Sequence, residues 1–558
     1  MKETIFKKFH FLSKIPVQFL VIVIGTLLFI PFIGQVHLFD WDEINFAEAA
    51  REMIVSKNYT EVQINFEPFW EKPPFFIWLQ ALSMSYFGIN EFASRLPNAI
   101  CGVLTLFVIF KIGKRFYNEE FAIIWVFVMI SSFLPFVYFK SGIIDPFFNL
   151  FIFLGIYFLM NNSYDLELYD TKGRNRYKLK NVILSGCFIG LAILTKGPVG
   201  LLLGGLTIFV FFVINKFRRI IGIVELITWI LVILLVCCAW FGFEMYERGF
   251  WFFKEFISYQ IRLMNTKDAG HGGFLFYHFV IVFIGCFPAS IFLFNAFKKD
   301  KLETRDQELL RIWMLCLMLV VFVVFTLVKT KIVHYSSLTY LPISFLAALF
   351  IYRFKHHERK WNWYLTFQLI IGITIWGMLL FLIPFLMKDT KWLIELAKKD
   401  IFVSHNLQAK VYWSIVDYLP FTFFSIAIIA ATYFVLRAKR EIGIYVFFFF
   451  QSASIYAAIT LIVPKIEKYS QAAAIEFYEE KAKEGAIVEV FGFKSYAQLF
   501  YTQRRAEDHG IGFNEAIYLM RDKKTYIVCK INKAAYFQDK YKYKKLYEKN
   551  GFVFFEKP

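Results

Sequence analysis

The sequence predicts an all-α protein with about thirteen membrane-spanning helices, followed by a small soluble α/β domain. Of its 558 residues, 58% are hydrophobic and 21% are aromatic, which excludes an ordinary water-soluble globular protein. Apolar stretches of about 20 residues, long enough to cross a hydrocarbon core roughly 30 Å thick, recur until about residue 460. Clusters of Lys and Arg occupy alternate loops between them, as in polytopic membrane proteins.

The basic clusters orient the chain. When the chain is threaded through thirteen spans, all the basic clusters fall on one side of the membrane. The positive-inside rule assigns this side, which includes the N-terminus, to the cytoplasm. Because the number of spans is odd, the C-terminal domain is expected on the opposite, outer side of the membrane. The predicted spans are 15–36, 92–112, 120–139, 142–160, 181–196, 198–215, 220–242, 274–297, 309–328, 336–352, 363–387, 412–436 and 442–463.

The net charge of +18 and the cysteines exclude other classes of protein. Basic residues punctuate apolar spans instead of gathering on one soluble domain, so we expect contacts with membrane lipids and no nucleic acid. Six of the seven cysteines lie in apolar segments, which argues against a disulfide framework or a cysteine metal cluster.

The stretch from Asp40 to Pro74 contains a cluster of carboxylates, and membrane topology, which accounts for the basic loops, gives no reason for it. It follows the first span, and the threading places it on the outer face with the other unexplained polar residues. Charged groups near hydrocarbon are costly enough to be kept mainly for a site or a pathway. We therefore predict that residues 37–91 form the outer catalytic loop of a membrane enzyme, within a transmembrane domain of residues 1–464.

Asp42 and Glu43 open a segment, residues 42–56, whose apolar residues follow helical spacing. This pattern predicts an amphipathic helix on the membrane surface. Asp42 is either its N-cap or a general base, and the crowding of like charge from Asp40 favours the base. Glu48 and Glu52 are interpreted as a solvated helix face.

Lys72 lies between Glu71 and the pair Pro73-Pro74, which begins a second surface helix, residues 75–87. The lysine either meets a lipid phosphate or snorkels to the membrane surface as an anchor, and spacing alone does not separate these alternatives.

Asp145 and Lys196 each stand at the outer end of a span. Asp145 precedes a proline, so it is either a helix N-cap or a carboxylate that binds a metal or a sugar. Lys196 precedes Gly197-Pro198 and is interpreted as part of a tight turn.

Two further outer segments carry candidate ligand-binding groups. Arg262 and His271 belong to a loop whose glycines permit close approach of backbone to a ligand. A second cluster breaks the positive-inside pattern, which indicates capture of an anion such as a lipid phosphate. Its members are Lys329, Lys331, His334 and Tyr335.

Residues 465–558 are predicted to form the soluble α/β domain. QAAAIEFYEEKAKE is helix-like, whereas AIVEVF, TYIVCK and FVFFEK are strand-like. The segment has no phosphate loop, metal-ligand spacing or nucleophile motif, so we expect an accessory role in substrate docking or stability.

Several motifs occur in an order that resembles the bacterial lipid-A aminoarabinose transferases and the related dolichyl-phosphate-mannose-protein mannosyltransferases. They are DEINFAEAARE, EKPPFFIWLQ, FGINEFASRLPN, SGIIDPFFN, LAILTKGPVG and KTKIVHYSSLTYLP, and they extend over about the first 345 residues. One departure is Asn45, where relatives with the fuller DETRYAE form have a basic residue.

The resemblance implies a membrane glycosyltransferase of the GT-C type that uses a polyprenyl-phosphate sugar donor, with lipid A as the leading acceptor. It implies Asp42 as the catalytic aspartate, Asp145 as a second aspartate, and Glu71 with Lys72 as an acidic and phosphate-binding pair. Glu43 is also expected to bind substrate. The other expected substrate-binding residues are Arg262, His271, Lys329, Lys331, His334 and Tyr335. A divalent metal ion at Glu71, Asp145 or His271 is an open alternative, since no tight ligand spacing demands one.

A transporter or flippase for a polyprenyl-linked lipid is the main alternative of another class. Transporters usually keep their polar residues near the bilayer midplane and often contain internal repeats. Here the polar residues lie at the outer boundary and no repeat is visible, which favours the enzyme. Protein hydroxyls and other envelope glycans remain alternative acceptors.

Overall fold

The computed structural model describes residues 16–40, 42–162, 174–218, 220–266, 272–293, 303–508, 512–514 and 523–558. Up to residue 467 these ranges are almost entirely helical, and a small mixed sheet follows. The predicted fold class, a helical membrane region with a C-terminal α/β domain, is confirmed.

The segment predicted to form the first outer loop lies between the first two predicted spans, and that name is kept for it here. Helix α1 (Val17–Phe29) leads into α2 (Asp42–Ser56), a two-stranded antiparallel hairpin of β1 (Gln63–Ile64) and β2 (Glu67–Pro68), and α3 (Phe75–Phe87). Helix α3 begins directly after Pro73-Pro74, as predicted from the restricted backbone of proline.

The membrane region continues in further helices, most of which overlap the predicted spans. They are α4 (Glu91–Phe116), α5 (Glu119–Ile130), α6 (Phe133–Tyr138), α7 (Asp145–Met160), α8 (Arg174–Lys196), α9 (Val199–Ile214), α10 (Ile223–Cys238), α11 (Phe241–Arg248), α12 (Trp251–Asn265), α13 (Tyr277–Gly285), α14 (Arg305–Leu327), α15 (Tyr340–Lys355), α16 (Trp363–Leu386), α17 (Lys391–Leu396), α18 (Ile401–Asn406), α19 (Leu419–Leu436), α20 (Arg440–Ala457) and α21 (Val463–Glu467). A 3₁₀ segment, Val333–Thr339, precedes α15.

Seven helical segments among the described residues are long and apolar enough to cross a membrane, or eight if α10 and α11, bent by 48°, form one span. Four other apolar helices, α1, α3, α7 and α9, are shorter. Several of the thirteen predicted spans therefore correspond to short or broken helices, and the count itself stays a prediction. Short helices and breaks leave backbone and polar side chains inside the protein, where a site can form.

The C-terminal domain is built on a four-stranded sheet in the order β3-β4-β6-β5. Its elements are α22 (Ala472–Ala482), β3 (Ile487–Phe491), α23 (Ala497–Tyr501), β4 (Thr525–Lys530), α24 (Ile531–Tyr541), β5 (Lys544–Lys549) and β6 (Phe552–Glu556). Strand β3 is parallel to β4, and the other two pairs are antiparallel. The predicted helix and three strands are present, whereas β5 was not predicted because this edge strand, KKLYEK, is polar and largely exposed.

The C-terminal domain packs directly against the first outer loop. The Leu38 amide donates to the Tyr501 hydroxyl at 2.8 Å, and the Gln471 side chain donates to the Leu38 carbonyl at 2.9 Å. Arg51 donates from its guanidinium to the Arg504 carbonyl at 2.8 Å. The domain therefore supports the first outer loop on both sides of Asp42.

The expectation that α2 lies on the surface with Glu48 and Glu52 solvated is wrong. Both carboxylates are fully buried. Glu48 accepts two hydrogen bonds of 2.7 Å from the guanidinium of Arg51, which is itself buried. Burying charge is tolerated here because the groups pair with each other.

Candidate active site

A cavity of about 660 Å³ opens where α2, α7, α8, α12 and the Val333–Thr339 segment meet. Its polar lining includes carboxylates and cations on facing elements, and its apolar lining is provided largely by aromatic and branched side chains. The principal polar groups are Asp40, Asp42, Asn45, Glu71, Lys72, Asp145, Lys196, Lys331, His334 and Tyr335. The structure thus brings together residues separated by nearly 300 positions.

Asp42 is the first residue of α2, and its side chain is about one third exposed toward the cavity. The Nε2 atom of His334 lies 3.5 Å from Asp42 Oδ2. Asp40 also lines the cavity, and burial raises its pKa despite a hydrogen bond from Ser495 and the charge of Lys530. Asp42 is therefore accessible to a ligand and has a basic neighbour.

The hairpin that precedes Glu71 and Lys72 is held by a buried carboxylate. Asn65 and Phe66 form its turn with φ of 59° and 57°, and both amides donate to Glu52, at 2.6 and 2.7 Å. Burial and the neighbouring Glu48 raise the pKa of Glu52 well above its ordinary value, whereas Arg51 opposes this shift. Glu52, the last residue of the DEINFAEAARE motif, therefore positions the EKPPFFIWLQ motif by holding the turn that precedes it.

Lys72 reaches the cavity beside an aromatic ring. Its Nζ atom lies 4.9 Å from the centre of the Tyr259 ring and 3.5 Å from the Tyr259 hydroxyl. Burial lowers the pKa of Lys72, although the nearby carboxylates of Glu71 and Asp42 oppose the shift. A bound anion would stabilise the charged form of Lys72 against this burial. The lysine is therefore suited to hold a phosphate.

Asp145 begins α7, and its carboxylate points into the cavity instead of capping the helix. No side-chain cap is present at this end of α7. Asp145 Oδ1 accepts from Lys196 Nζ at 2.6 Å and from Ser337 Oγ at 3.5 Å. The N-cap interpretation is therefore wrong, and Asp145 belongs to the cavity.

Lys196 is a cavity residue that the candidate set lacked. Gly197 makes the predicted tight turn with φ of 88°, and a Cβ atom there would lie 2.4 Å from the Phe256 ring. The Lys196 Nζ atom also lies 5.4 Å from the Phe148 ring centre and 5.2 Å from that of Tyr335. A lysine at the outer end of an apolar span, against the positive-inside pattern, was the available signal.

Lys331 and Tyr335 line the cavity as expected. The Nζ atom of Lys331 donates at 2.7 Å to the carbonyls of Phe325 and Thr326, so it also caps the end of α14.

Three other candidates occupy different positions. Lys329 and Arg262 are exposed and do not line the cavity, although the Arg262 guanidinium lies 5.1 Å from the ring centre of Tyr259, which does. His271 lies outside the described residues.

Glu43 does not line the cavity. It is buried, accepts hydrogen bonds of 3.0 and 2.7 Å from Arg95, and also accepts from the amides of Phe39 and Gly142. Burial alone would raise its pKa, but Arg95 and these hydrogen bonds hold the pKa below its ordinary value. The expectation that Glu43 binds substrate is not supported by this geometry, which gives it a structural ion pair linking α2 to α4.

The proposed metal ligands are not grouped at metal-binding spacing in the described part of the cavity. Among the described residues of the cavity, no three His, Cys, Asp or Glu side chains bring their ligand atoms close together. Asp145 is already bound to Lys196. The metal alternative stays a prediction.

The lining can perform two tasks side by side. Asp42 and Glu71 offer carboxylate oxygens that orient or deprotonate an acceptor. Lys72 and Lys196 offer cations that neutralise an anionic leaving group. The aromatic and branched groups, such as Phe148 and Leu202, provide an apolar wall for a lipid chain.

Comparison with known sequences agrees with the motif resemblance. Residues 71–241 match the family described as dolichyl-phosphate-mannose-protein mannosyltransferase. The chain is 25% identical over 343 residues to the undecaprenyl phosphate-alpha-4-amino-4-deoxy-L-arabinose arabinosyl transferase of Wigglesworthia glossinidia brevipalpis, covering 60% of this chain and 59% of that protein. It is 27% identical over 341 residues to the protein of the same name from Shewanella sediminis, covering 60% of each. The match thus spans about three fifths of the length of these curated relatives.

Comparison with solved structures extends the likeness over the whole fold. The structure of ArnT from Cupriavidus metallidurans bound to undecaprenyl phosphate superposes with a TM-score of 0.76 at 17% identity, covering 96% of this chain and 97% of that one. The apo form of the same protein gives a TM-score of 0.74 at 16% identity, with the same coverage. The resemblance inferred from the motifs is confirmed, including the GT-C fold that it implied.

Proposed function

We propose that this chain is an integral membrane glycosyltransferase that moves a sugar from a polyprenyl-phosphate donor to an acceptor at the outer face. One observation carries the proposal: carboxylates and lysines from distant segments converge on one cavity that also has an apolar wall. The cations suit a phosphate, the apolar wall suits a polyprenyl chain, and the carboxylates suit a sugar or acceptor hydroxyl.

The proposed reaction is an in-line displacement. An acceptor oxygen forms a bond to the sugar C1 atom while the bond from C1 to the phosphate oxygen breaks, so the anomeric configuration inverts. Asp42 orients the acceptor and takes its proton where the acceptor is a hydroxyl. Lys72 and Lys196 neutralise the polyprenyl phosphate as it leaves with its electron pair.

Asp145 and His334 position these groups. Asp145 holds Lys196 at 2.6 Å, and His334 lies 3.5 Å from Asp42. Each partner limits the movement of a flexible or exposed group, and such preorganisation lowers the cost of reaching the transition state. Tyr259 performs the same task for Lys72.

The proposed donor is an undecaprenyl-phosphate sugar of the aminoarabinose type, and the proposed acceptor is lipid A. Support comes from the names of the relatives and from the neighbouring structure that contains undecaprenyl phosphate. With these substrates, the proposed location is a bacterial inner membrane, with the cavity and the C-terminal domain on the periplasmic side. A protein or another envelope glycan is the alternative acceptor, favoured by the mannosyltransferase description of residues 71–241.

To test this function, sugar transfer by the purified protein is measured in proteoliposomes. Undecaprenyl-phosphate aminoarabinose and lipid A are supplied together, and mass spectrometry measures the mass added to lipid A. A parallel reaction supplies polyprenyl-phosphate mannose and a serine-rich peptide. Sugar on lipid A supports the proposal, and sugar on the peptide reassigns the acceptor. Donor movement across the bilayer without transfer to either acceptor would favour a flippase and contradict the proposal.

A further inference from the structure

A second cluster of ligand-type side chains lies where the first outer loop meets the C-terminal domain. His37 belongs to the segment after α1, Glu91 is the first residue of α4, Glu467 ends α21, and Glu479 lies in α22. None of the four lines the candidate active-site cavity. The cluster therefore needs its own explanation.

The carboxylate of Glu467 fixes the imidazole ring of His37. Glu467 Oε1 lies 3.0 Å from Nδ1 of His37, and Glu467 is buried. With Nδ1 held in this way, the other ring nitrogen, Nε2, lies 4.0 Å from Glu479 Oε1. A carboxylate on one ring nitrogen is the usual support for a histidine that binds a metal through the other.

Three ligand atoms, one each from His37, Glu91 and Glu479, lie within 4.8 Å of one another. Among the described residues, no other three His, Cys, Asp or Glu side chains bring their ligand atoms this close together. Imidazole nitrogen and carboxylate oxygen are ligands typical of Zn²⁺ and related divalent ions. The side chain of Glu479 is half exposed, which leaves room for water as a further ligand.

The charge of the cluster is not balanced by nearby cations. Three carboxylates face one imidazole, and among the described residues no Lys or Arg nitrogen lies within 4 Å of a carboxylate oxygen of Glu91 or Glu479. Glu91 instead accepts from the Tyr501 hydroxyl at 3.1 Å. Arg95 and Lys483 act only at longer range. A divalent cation would supply the missing positive charge.

We propose that His37, Glu91 and Glu479 bind one divalent transition-metal ion, with Zn²⁺ as the best match, and that Glu467 orients the imidazole. The ion would join the membrane region, which provides His37 and Glu91, to the C-terminal domain, which provides Glu479. This site is separate from the transfer chemistry, so it does not depend on the proposed function.

The experiment measures Zn²⁺ on the purified full-length protein in detergent. The protein is stripped with a chelator and titrated with Zn²⁺, and bound zinc and the thermal unfolding midpoint are both measured. We expect one zinc per chain with a raised midpoint. H37Q and E479Q are expected to lose this zinc and this rise in midpoint, and E467Q is expected to bind roughly 10- to 100-fold more weakly.

E476Q is the matched control. Glu476 lies on the same helix as Glu479, but its carboxylate pairs with Lys549 at 2.6 Å, so zinc binding should match the wild type. E71Q tests whether the zinc is bound in the candidate active-site cavity instead, because Glu71 lines that cavity. Wild-type binding by both H37Q and E479Q, zinc loss in E71Q alone, or no stoichiometric zinc on the wild type would each overturn the proposal. X-ray absorption showing a nitrogen ligand that H37Q removes would support it.

Discussion

Lys196 Nζ lies 2.6 Å from Asp145 Oδ1, so the end of α8 is joined to the start of α7 by residues 51 positions apart. Neither residue is explained by its own helix, because Asp145 does not cap α7 and Lys196 ends an apolar span. Together they place a cation, held by its own counter-charge, against the aromatic lining of the cavity. The proposed phosphate site depends on this pair.

Lys196→Ala should weaken binding of undecaprenyl phosphate by roughly 10- to 100-fold, because a charge-assisted hydrogen bond contributes about 1.5–3 kcal/mol. Equilibrium binding of a fluorescent polyprenyl phosphate checks this. Lys329→Ala is the control, since Lys329 is exposed outside the cavity lining. Equal affinity in the Lys196 and Lys329 variants would remove Lys196 from the phosphate site.

Asp42→Asn should lower kcat by about 10²- to 10⁴-fold and change KM little, because it removes a general base without removing a binding cation. Initial rates at saturating and limiting donor separate the two constants. Glu67→Gln is the control, since Glu67 is an exposed carboxylate of the same loop. A wild-type kcat for Asp42→Asn would exclude the assigned role.

Lys72 should make donor binding sensitive to alkaline pH. Its pKa is lowered by burial, so as pH rises the free protein loses this cation before an ordinary lysine, whose value is 10.5, would lose its proton. Affinity for the phosphate should therefore be full at lower pH and fall as pH rises through the lowered pKa. Lys72→Arg should extend binding to higher pH, since arginine stays charged. Identical pH profiles for the two proteins would contradict this account.

Arg51→Ala should destabilise the protein by about 3–5 kcal/mol, because it leaves the buried carboxylates of Glu48 and Glu52 without their cation. It also removes a hydrogen bond to the carbonyl of Arg504 in the C-terminal domain. Thermal unfolding in detergent measures the effect. Arg505→Ala is the control and should change the midpoint little, since Arg505 is exposed. Comparable midpoints for the two variants would show that the buried cluster is not needed.

Gly197→Ala should reduce stability and displace Lys196. The new Cβ atom would lie 2.4 Å from the Phe256 ring, and the φ of 88° costs a residue with a side chain about 1–3 kcal/mol. Gly205→Ala is the matched control, because nothing lies within 4 Å of its added Cβ atom. Unfolding midpoints and phosphate affinity are measured together. If both glycine variants behave alike, the turn does not constrain the lysine.

Much of the site could be read from local signals. Asp42, Glu71 and Lys72 stand out because charge beside hydrocarbon is costly, and all three line the cavity. The same reasoning failed for Glu48 and Glu52, because helical spacing alone does not say whether a polar face meets water or a buried arginine. Lys196 was not predicted as a site residue, because the turn at Gly197-Pro198 already accounted for its position. The structure contains that turn, and Lys196 also lines the cavity.

The sequence by itself determined that the chain has a helical membrane region followed by a small α/β domain, and it contains the family motifs in order. These features depend on the thickness of the bilayer and on local composition, which do not require knowledge of distant contacts. Only the tertiary structure decided that Asp145 meets Lys196, that Glu43 meets Arg95, and that His37 faces Glu479. Such pairs depend on how helices pack across long stretches of chain, and a buried charge becomes either a structural partner or a site residue according to what packing places beside it.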